Sequence, residues 1–252
     1  MFTHSIDPVV FSIGPISVYW YGLVYAVGFL FVAWYAEKKN LIPEDLTDSY
    51  MVWTVLGMLL GSRIFTFLFW DTATLFTAPL ELFKIWNGGM SFHGGFLGFT
   101  ISTILFARKN DLDWGILADE LVITASVLLG LGRIANFINA ELVGTISLVP
   151  WCVVFPGDDF CRHPYQIYAA LKNFAVAGIL YGISKYRYDK LELFGWFLIL
   201  YNGFRFIVDT WRAEPSVLLS LSMGQILSFC FVIIGIFILY KPNYVYERFA
   251  NN

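Results

Sequence analysis

Charge is what this sequence has least of. Asp, Glu, Lys and Arg make up only 14% of the 252 residues and mean hydropathy is +0.66, which excludes an ordinary soluble domain. A net charge of -3 and a pI near 5.6 exclude a broadly basic surface, so no nucleic acid partner is expected. Neither H-E-x-x-H nor G-x-S-x-G occurs, so zinc hydrolysis and serine acyl transfer lack their residues. Ser62 and His93 offer a hydroxyl and an imidazole without the strained elbow that would support a serine nucleophile. No metal-ligand cluster or cofactor motif is present, and neither a metal nor a cofactor is expected. Residues 1–8 lack the basic n-region of a cleavable leader, so the first apolar run is expected to stay in the protein. Cysteine is scarce. Cys152 and Cys161 share a polar segment and can pair if it faces an oxidising compartment, whereas Cys230, inside an apolar run, is expected to fill core.

What is abundant is apolar and aromatic side chain, 58% and 19% of the chain. Seven runs are long enough to cross a hydrocarbon core of roughly 30 Å. They are Val18 to Ala36, Tyr50 to Trp70, Ser91 to Ala107, Trp114 to Gly132, Pro164 to Ser184, Leu191 to Trp211 and Val217 to Tyr240. Thr72 to Gly89 is broken by Pro79, Glu81, Lys84 and a Gly pair, but Leu80, Leu82, Phe83, Ile85 and Trp86 suit an interfacial or re-entrant segment. Lys38, Lys39, Arg108, Lys109, Lys185, Arg187, Lys190, Lys241 and Arg248 gather in one set of loops, while the opposite set holds little beyond Lys84, Arg162 and Arg212. The positive-inside rule makes the first set cytoplasmic. The expected fold is therefore an all-α integral membrane protein of seven transmembrane helices, N-terminus outside and C-terminus cytoplasmic. It forms one polytopic domain over residues 1–252, with a short outer segment near 145–162. That topology puts Cys152 and Cys161 outside, where a disulfide is permitted.

Polar residues in so apolar a chain cost free energy unless they meet each other, water or a ligand. They concentrate in Gly132 to Gly144, at the end of the fourth run, with Arg133, Asn136, Asn139 and Glu141. The topology brings this stretch, His93, and Arg205 with Asp209 and Arg212 to one depth near the outer face. Arg133 and Asn136 share a helical face, as do Arg205, Asp209 and Arg212 at spacings of four and three. Arg205 with Asp209 also fits a self-neutralising ion pair, and Arg63 fits an interhelical tie as well as a site. Tyr21 opens the first run at the outer level. His93 follows Gly88-Gly89 and precedes Gly94-Gly95, at a helix start whose dipole favours the neutral ring, able to accept a proton. Gly57, Gly61, Gly94, Gly95, Gly98, Gly130 and Gly132 are expected at close helix contacts. A cavity lined with Arg, Asn and His suits an anionic lipid head group, because guanidinium binds phosphate in bidentate fashion. A non-enzymatic transporter or binding protein for such a lipid or a phosphate-bearing solute would suit the same residues.

The stretch Gly132-Arg133-Ile134-Ala135-Asn136-Phe137-Ile138-Asn139-Ala140-Glu141-Leu142-Val143-Gly144 resembles the signature of the bacterial prolipoprotein diacylglyceryl transferases. Trp20-Tyr21-Gly22-Leu23, Gly88 to Gly95, Arg162 to Tyr168 and Ser222 to Ser228 resemble further segments of that family in the same order, from about Asp7 to Tyr240. The resemblance implies a multi-pass enzyme of the bacterial plasma membrane with its active site toward the outer face. Such an enzyme moves the diacylglyceryl group of phosphatidylglycerol onto the lipobox cysteine of a prolipoprotein signal peptide. A thioether forms and glycerol phosphate leaves, the first step of lipoprotein maturation. Tyr21, His93, Arg133, Asn136, Glu141, Gly144 and Arg205 match residues the family implicates. The resemblance implies catalytic roles for His93, Arg133 and Arg205, and contact with phosphatidylglycerol for Tyr21, Arg133, Asn136, Glu141, Gly144, Arg205 and Asp209. Asp209 stands where Glu is usual and Thr66 where Tyr is common. The outer segment from Thr145 to Arg162 is shorter than in many members.

Overall fold

A computed structural model describes residues 2–14, 16–84, 88–186 and 189–240. Ile85, Trp86, Arg187, Lys241 and Arg248, used in the sequence reading, lie outside the described residues. Among those described, seven helices of 17 residues or more coincide with the seven apolar runs. They are α1 (Trp20–Lys38), α2 (Glu44–Phe69), α4 (Phe92–Lys109), α5 (Trp114–Ile138), α6 (Tyr165–Ile183), α7 (Glu192–Val208) and α8 (Met223–Tyr240). Of these, α2, α5 and α8 are long and apolar enough on their own to cross a hydrocarbon core. The short helix α3 (Thr72–Thr77) and a 3-10 turn at Pro79–Phe83 fill part of the broken segment. Phe76, Leu80 and Phe83 are exposed there, as an interfacial segment requires.

The contacts gather into two compact units, Phe31–Ala118 and Met1–Leu30 with Asp119–Asn252. In the Phe31–Ala118 unit the dominant packing is α2 on α4, and it is set by glycine. Gly57 and Gly61 of α2 face Gly94 and Gly98 of α4, two small-xxx-small pairs that let the backbones touch. A Cβ on Gly57 would stand 2.6 Å from the Ser102 side chain, and one on Gly61 2.8 Å from the Gly98 Cα. The Tyr50 and Thr103 hydroxyls close the buried end of this seam at 3.1 Å. Lys38 and Lys109 turn their ammonium groups over Trp34 and Trp53, at 4.7 and 5.4 Å, in the manner of helix-end cations beside belt aromatics.

In the other unit α7 packs along α8, again through glycines. A Cβ on Gly195 would meet Leu239 at 2.8 Å, and one on Gly235 would meet Ile199 at 2.9 Å. On α5, a Cβ on Gly130 would meet the Phe174 ring of α6 at 2.5 Å. Gly132 differs from the expected close contact, its nearest neighbour being the Tyr25 hydroxyl at 4.0 Å. Asp119 of α5 anchors the start of α7 by accepting from the Leu191 and Phe194 amides at 2.6 and 2.8 Å. These are orphan donors of a helix N-terminus inside an apolar chain, so a carboxylate there substitutes for a missing cap.

Between the helices lie small sheets that helical periodicity does not announce. β1 (Phe2–Thr3) runs parallel to β4 (Val153–Val154), which pairs antiparallel with β5 (Cys161–Arg162). β2 (Val9–Ile13) and β3 (Ile16–Tyr19) form a hairpin before α1. β6 (Ser216–Leu218) and β7 (Leu221–Ser222) form another before α8, so the seventh helix begins at Met223 and not at Val217. Cys152 and Cys161 are joined by a disulfide across the β4–β5 turn. His4 is buried with its Nε2 2.8 Å from the Phe137 carbonyl oxygen, which ties the N-terminal strand to the end of α5. Cys230 departs from expectation: it lies on the exposed face of α8 beside Phe229, because the buried face is the one that carries Gly224, Gln225, Ser228 and Gly235.

Candidate active site

The site begins where α5 ends. Arg133 and Asn136 stand on one face, three residues apart, and the Arg133 Nη1 donates to the Asn136 Oδ1 at 3.4 Å. Beyond Ile138 the chain doubles back, with Ala140 and Leu142 at φ of 56° and 54°. The Glu141 amide donates to the Asn136 carbonyl oxygen at 2.9 Å. That turn returns the Glu141 carboxylate over the helix end, where it accepts from Asn136 Nδ2 at 3.1 Å and Asn139 Nδ2 at 3.3 Å. The amide group of Asn136 is thus fixed with its oxygen toward Arg133 and its nitrogen toward Glu141. Gln166 of α6 donates to the Glu141 carbonyl oxygen at 2.6 Å and locks the turn from outside.

Gly144 follows as a packing point. Its amide donates to the His163 carbonyl oxygen at 3.2 Å, it bridges to Arg212, and a Cβ there would lie 2.8 Å from the Trp211 carbonyl oxygen. The need for glycine at 144 is therefore close approach of two strands of backbone. Arg162 holds the same point, donating to the Gly144 carbonyl oxygen at 3.2 Å and pairing with Asp158. That pairing keeps the Asp158 carboxyl below the usual carboxylate range.

The second arginine comes from the last turn of α7. Arg205 Nε donates to Asp209 Oδ2 at 3.2 Å, and both are buried. The Tyr165 hydroxyl donates to the other oxygen, Asp209 Oδ1, at 2.5 Å. A Cβ at Gly224 would come within 3.1 Å of Asp209 Oδ2 and 3.3 Å of Arg205 Nη2, so α8 supplies a glycine where the pair needs room. The charges of Arg133, Arg205 and Asp209 interact with one another, which puts both guanidinium groups in one electrostatic neighbourhood. Arg212 does not continue the Arg205–Asp209 stripe. The helix gives way to a 3-10 turn at Asp209–Trp211 and Arg212 is extended, so its guanidinium pairs with Glu214 at 2.9 Å and lies over the Tyr165 ring at 5.8 Å.

Tyr21 lies at the start of α1 with its hydroxyl 3.1 Å from that of Tyr25. A cleft of about 630 Å³ opens beside it, lined by Pro8, Val18, Tyr19, Tyr21, Asn139 and Glu141 among others. The structure thus brings Tyr21, Arg133, Asn136, Glu141, Gly144, Arg205 and Asp209 into one unit. His93 belongs to the other unit, in the first turn of α4, 2% exposed. Around it Ser91 caps α4, and the Ser62 hydroxyl donates to the Ser91 carbonyl oxygen at 2.9 Å, so Ser62 serves the backbone. Thr66 turns its hydroxyl onto the Ser62 carbonyl oxygen at 2.9 Å. Arg63 is a tie: it donates to the carbonyl oxygens of Glu81, Leu82 and Gly88 and stacks on the Phe67 ring at 4.9 Å. Among the described residues no three His, Cys, Asp or Glu are grouped to hold a metal ion.

Several residues around the arginines escaped the sequence reading as individuals, namely Tyr165, Gln166, Lys172, Tyr201 and Gly224. A lysine in the eighth position of a 19-residue apolar helix is itself a signal, since such residues are rare away from helix ends. The tyrosines carried none, being lost among 14 of their kind.

Two guanidinium groups against one buried carboxylate leave a positive surplus suited to a phosphate. The family model of the prolipoprotein diacylglyceryl transferases matches residues 8–241. Similar curated proteins include the phosphatidylglycerol–prolipoprotein diacylglyceryl transferases of Sinorhizobium medicae and Vibrio cholerae, both 41% identical. The alignments cover 92% of this chain and 90% of the first protein, and 98% and 96% for the second. The protein of that name from Wolbachia pipientis is 37% identical over 93% of this chain and 94% of its own length. With this coverage and the signature placed at the arginine site, the chain belongs to the prolipoprotein diacylglyceryl transferase family.

Proposed function

We infer that this protein transfers the diacylglyceryl group of phosphatidylglycerol to the lipobox cysteine of a prolipoprotein, at the membrane, as the first step of lipoprotein maturation. The observation that carries the reading is the arginine pair, Arg133 and Arg205, sharing one electrostatic neighbourhood around the buried carboxylate of Asp209. Membership of a transferase family decides against the transporter reading.

In this reaction the cysteine sulfur attacks the glycerol carbon that bears the phosphate. A C–S bond forms, the C–O bond breaks, and glycerol phosphate leaves with the electron pair and one more negative charge than the diester carried. Arg133 and Arg205 meet that charge as it develops, which is where binding energy accelerates the step. Asn136, fixed between Arg133 and Glu141, orients the phosphate. Tyr21 and Glu141 border the cleft that admits the lipid head group, and Asp209 aligns Arg205. Gly144 shapes this site by letting the backbones at His163 and Trp211 close on the turn. By the family resemblance His93 is the general base for the thiol proton, or positions substrate while the arginine field alone favours the thiolate. The attacking species is a thiolate, and a positive field favours it.

All seven long helices cross the membrane in this reading, with the Lys- and Arg-rich loops cytoplasmic and the N-terminus outside. The disulfide between Cys152 and Cys161 is consistent with an oxidising exterior. The plasma membrane of a bacterium then holds the enzyme with its site toward the outer face. The deciding experiment supplies purified protein with phosphatidylglycerol and a lipobox peptide. Release of glycerol phosphate together with a peptide mass increase of one diacylglyceryl group is expected, and absence of both from folded protein would refute the reading.

A further inference from the structure

A buried lysine stands beside the arginine site. Lys172 of α6 is 9% exposed, and no carboxylate pairs with it among the described residues. Its Nζ donates to the Tyr201 carbonyl oxygen at 3.3 Å and lies 3.3 Å from the centroid of the Tyr201 ring. Tyr201 is 2% exposed and its hydroxyl hydrogen-bonds Arg205, one helical turn further along α7. The charge of Lys172 also interacts with those of Arg133, Arg205 and Asp209.

Holding an ammonium next to two guanidinium groups is electrostatically costly, and a helix-to-helix tie could be made by any apolar side chain of similar length. We propose that Lys172 is a positioning residue for the transfer step: it clamps the Tyr201 ring, and Tyr201 in turn holds the Arg205 guanidinium against the departing phosphate. A cation over the face of an aromatic ring fixes the ring's plane, and the hydrogen bond to a backbone carbonyl fixes the cation. The Tyr201 hydroxyl is then presented to Arg205 in one orientation, while Asp209 holds Arg205 from its other side. Arg205 is thereby restrained from two directions before substrate arrives, and such preorganisation counts most for the charge that appears only as the C–O bond breaks.

The proposal rests on Arg205 receiving the phosphate, so the experiment includes R205A to test that reading separately. Steady-state transfer is measured with phosphatidylglycerol vesicles and a lipobox peptide for wild type, K172M, K172R, Y201F and K172M/Y201F, with thermal unfolding of each in detergent. Met keeps the length and apolar stem of lysine. K172M is expected to lower kcat about 10- to 100-fold while KM for the lipid moves less than about threefold, because alignment serves the transition state more than the ground state. Its unfolding temperature should not fall. K172R, which keeps a cation for the ring, should recover most of kcat. Y201F should reproduce the kcat loss of K172M, and the double variant should be no slower than the slower single one. Wild-type kcat in K172M or in Y201F, losses that multiply in the double variant, or K172R no better than K172M would each overturn the relay. Full activity in R205A would instead overturn the phosphate reading.

Discussion

Removing Arg205 is the most informative perturbation, because two effects are superimposed and the structure separates them. Arg205 donates to Asp209 at 3.2 Å with both side chains buried, and Tyr165 alone would remain hydrogen-bonded to that carboxylate. R205A therefore leaves a buried anion stripped of its closest cation, a loss on the order of 3 to 5 kcal/mol in stability. It also removes a charge-assisted contact to the leaving phosphate, on the order of 3 kcal/mol in the transition state, or roughly 10²-fold in rate. The double variant R205A/D209A deletes both charges, so it should regain most of the stability. It should nevertheless transfer at least about 10²-fold more slowly than wild type. R205K should rescue only in part, since an ammonium cannot offer separate donors to Asp209 and to a phosphate in a planar fork. Urea unfolding in detergent reads the first effect, and glycerol phosphate release at saturating lipid reads the second. Transfer by R205A/D209A at more than about half the wild-type rate would refute the assignment of Arg205 to the phosphate, whatever its stability.

H93Q should slow transfer by about 10²-fold at neutral pH, the usual range for loss of a general base. It should gain more than wild type on raising the pH toward the thiol's ordinary value near 8.5, and parallel rate profiles would leave His93 structural. Cys152 and Cys161 should resist alkylation in unreduced protein and become labelled after reduction. Mass spectrometry showing both alkylated without reductant would contradict the disulfide. G61L should drive a side chain into Gly94 and Gly98 on α4 and cost at least about 1 to 3 kcal/mol by overpacking. An unchanged unfolding transition would show that the α2–α4 seam is looser than described. The Asp158–Arg162 pair should hold the outer loop at neutral pH and release it only as pH falls through a carboxyl value below about 3.9. Proteolysis of the 145–162 segment that begins well above that value would count against the pair.

The helices could be read from composition alone, because a membrane leaves the backbone no partner but itself, and runs such as Trp114–Ile138 must then be helical. The site was legible to the extent that polarity is expensive there. Arg133, Asn136 and Glu141 stood out because they cluster at the end of one apolar run, and Arg205 because it pairs with Asp209 at a helical spacing. Their spacing of three or four also predicted the Arg133–Asn136 and Arg205–Asp209 contacts that exist. The same rule failed at Arg212, since spacing constrains a face only while the helix lasts, and the chain leaves it at Asp209. At Cys230 the expectation of a core position failed, because the inner face of α8 is the one with Gly224, Gln225, Ser228 and Gly235, and Cys230 lies off it. Tertiary structure alone decided that Arg63 ties down the carbonyls of Glu81, Leu82 and Gly88 and that Ser62 answers a carbonyl. It alone placed Tyr165 and Lys172 around the arginines. Those facts depend on partners 18 to 44 residues away, and no local pattern carries the distance between two helices that have yet to meet.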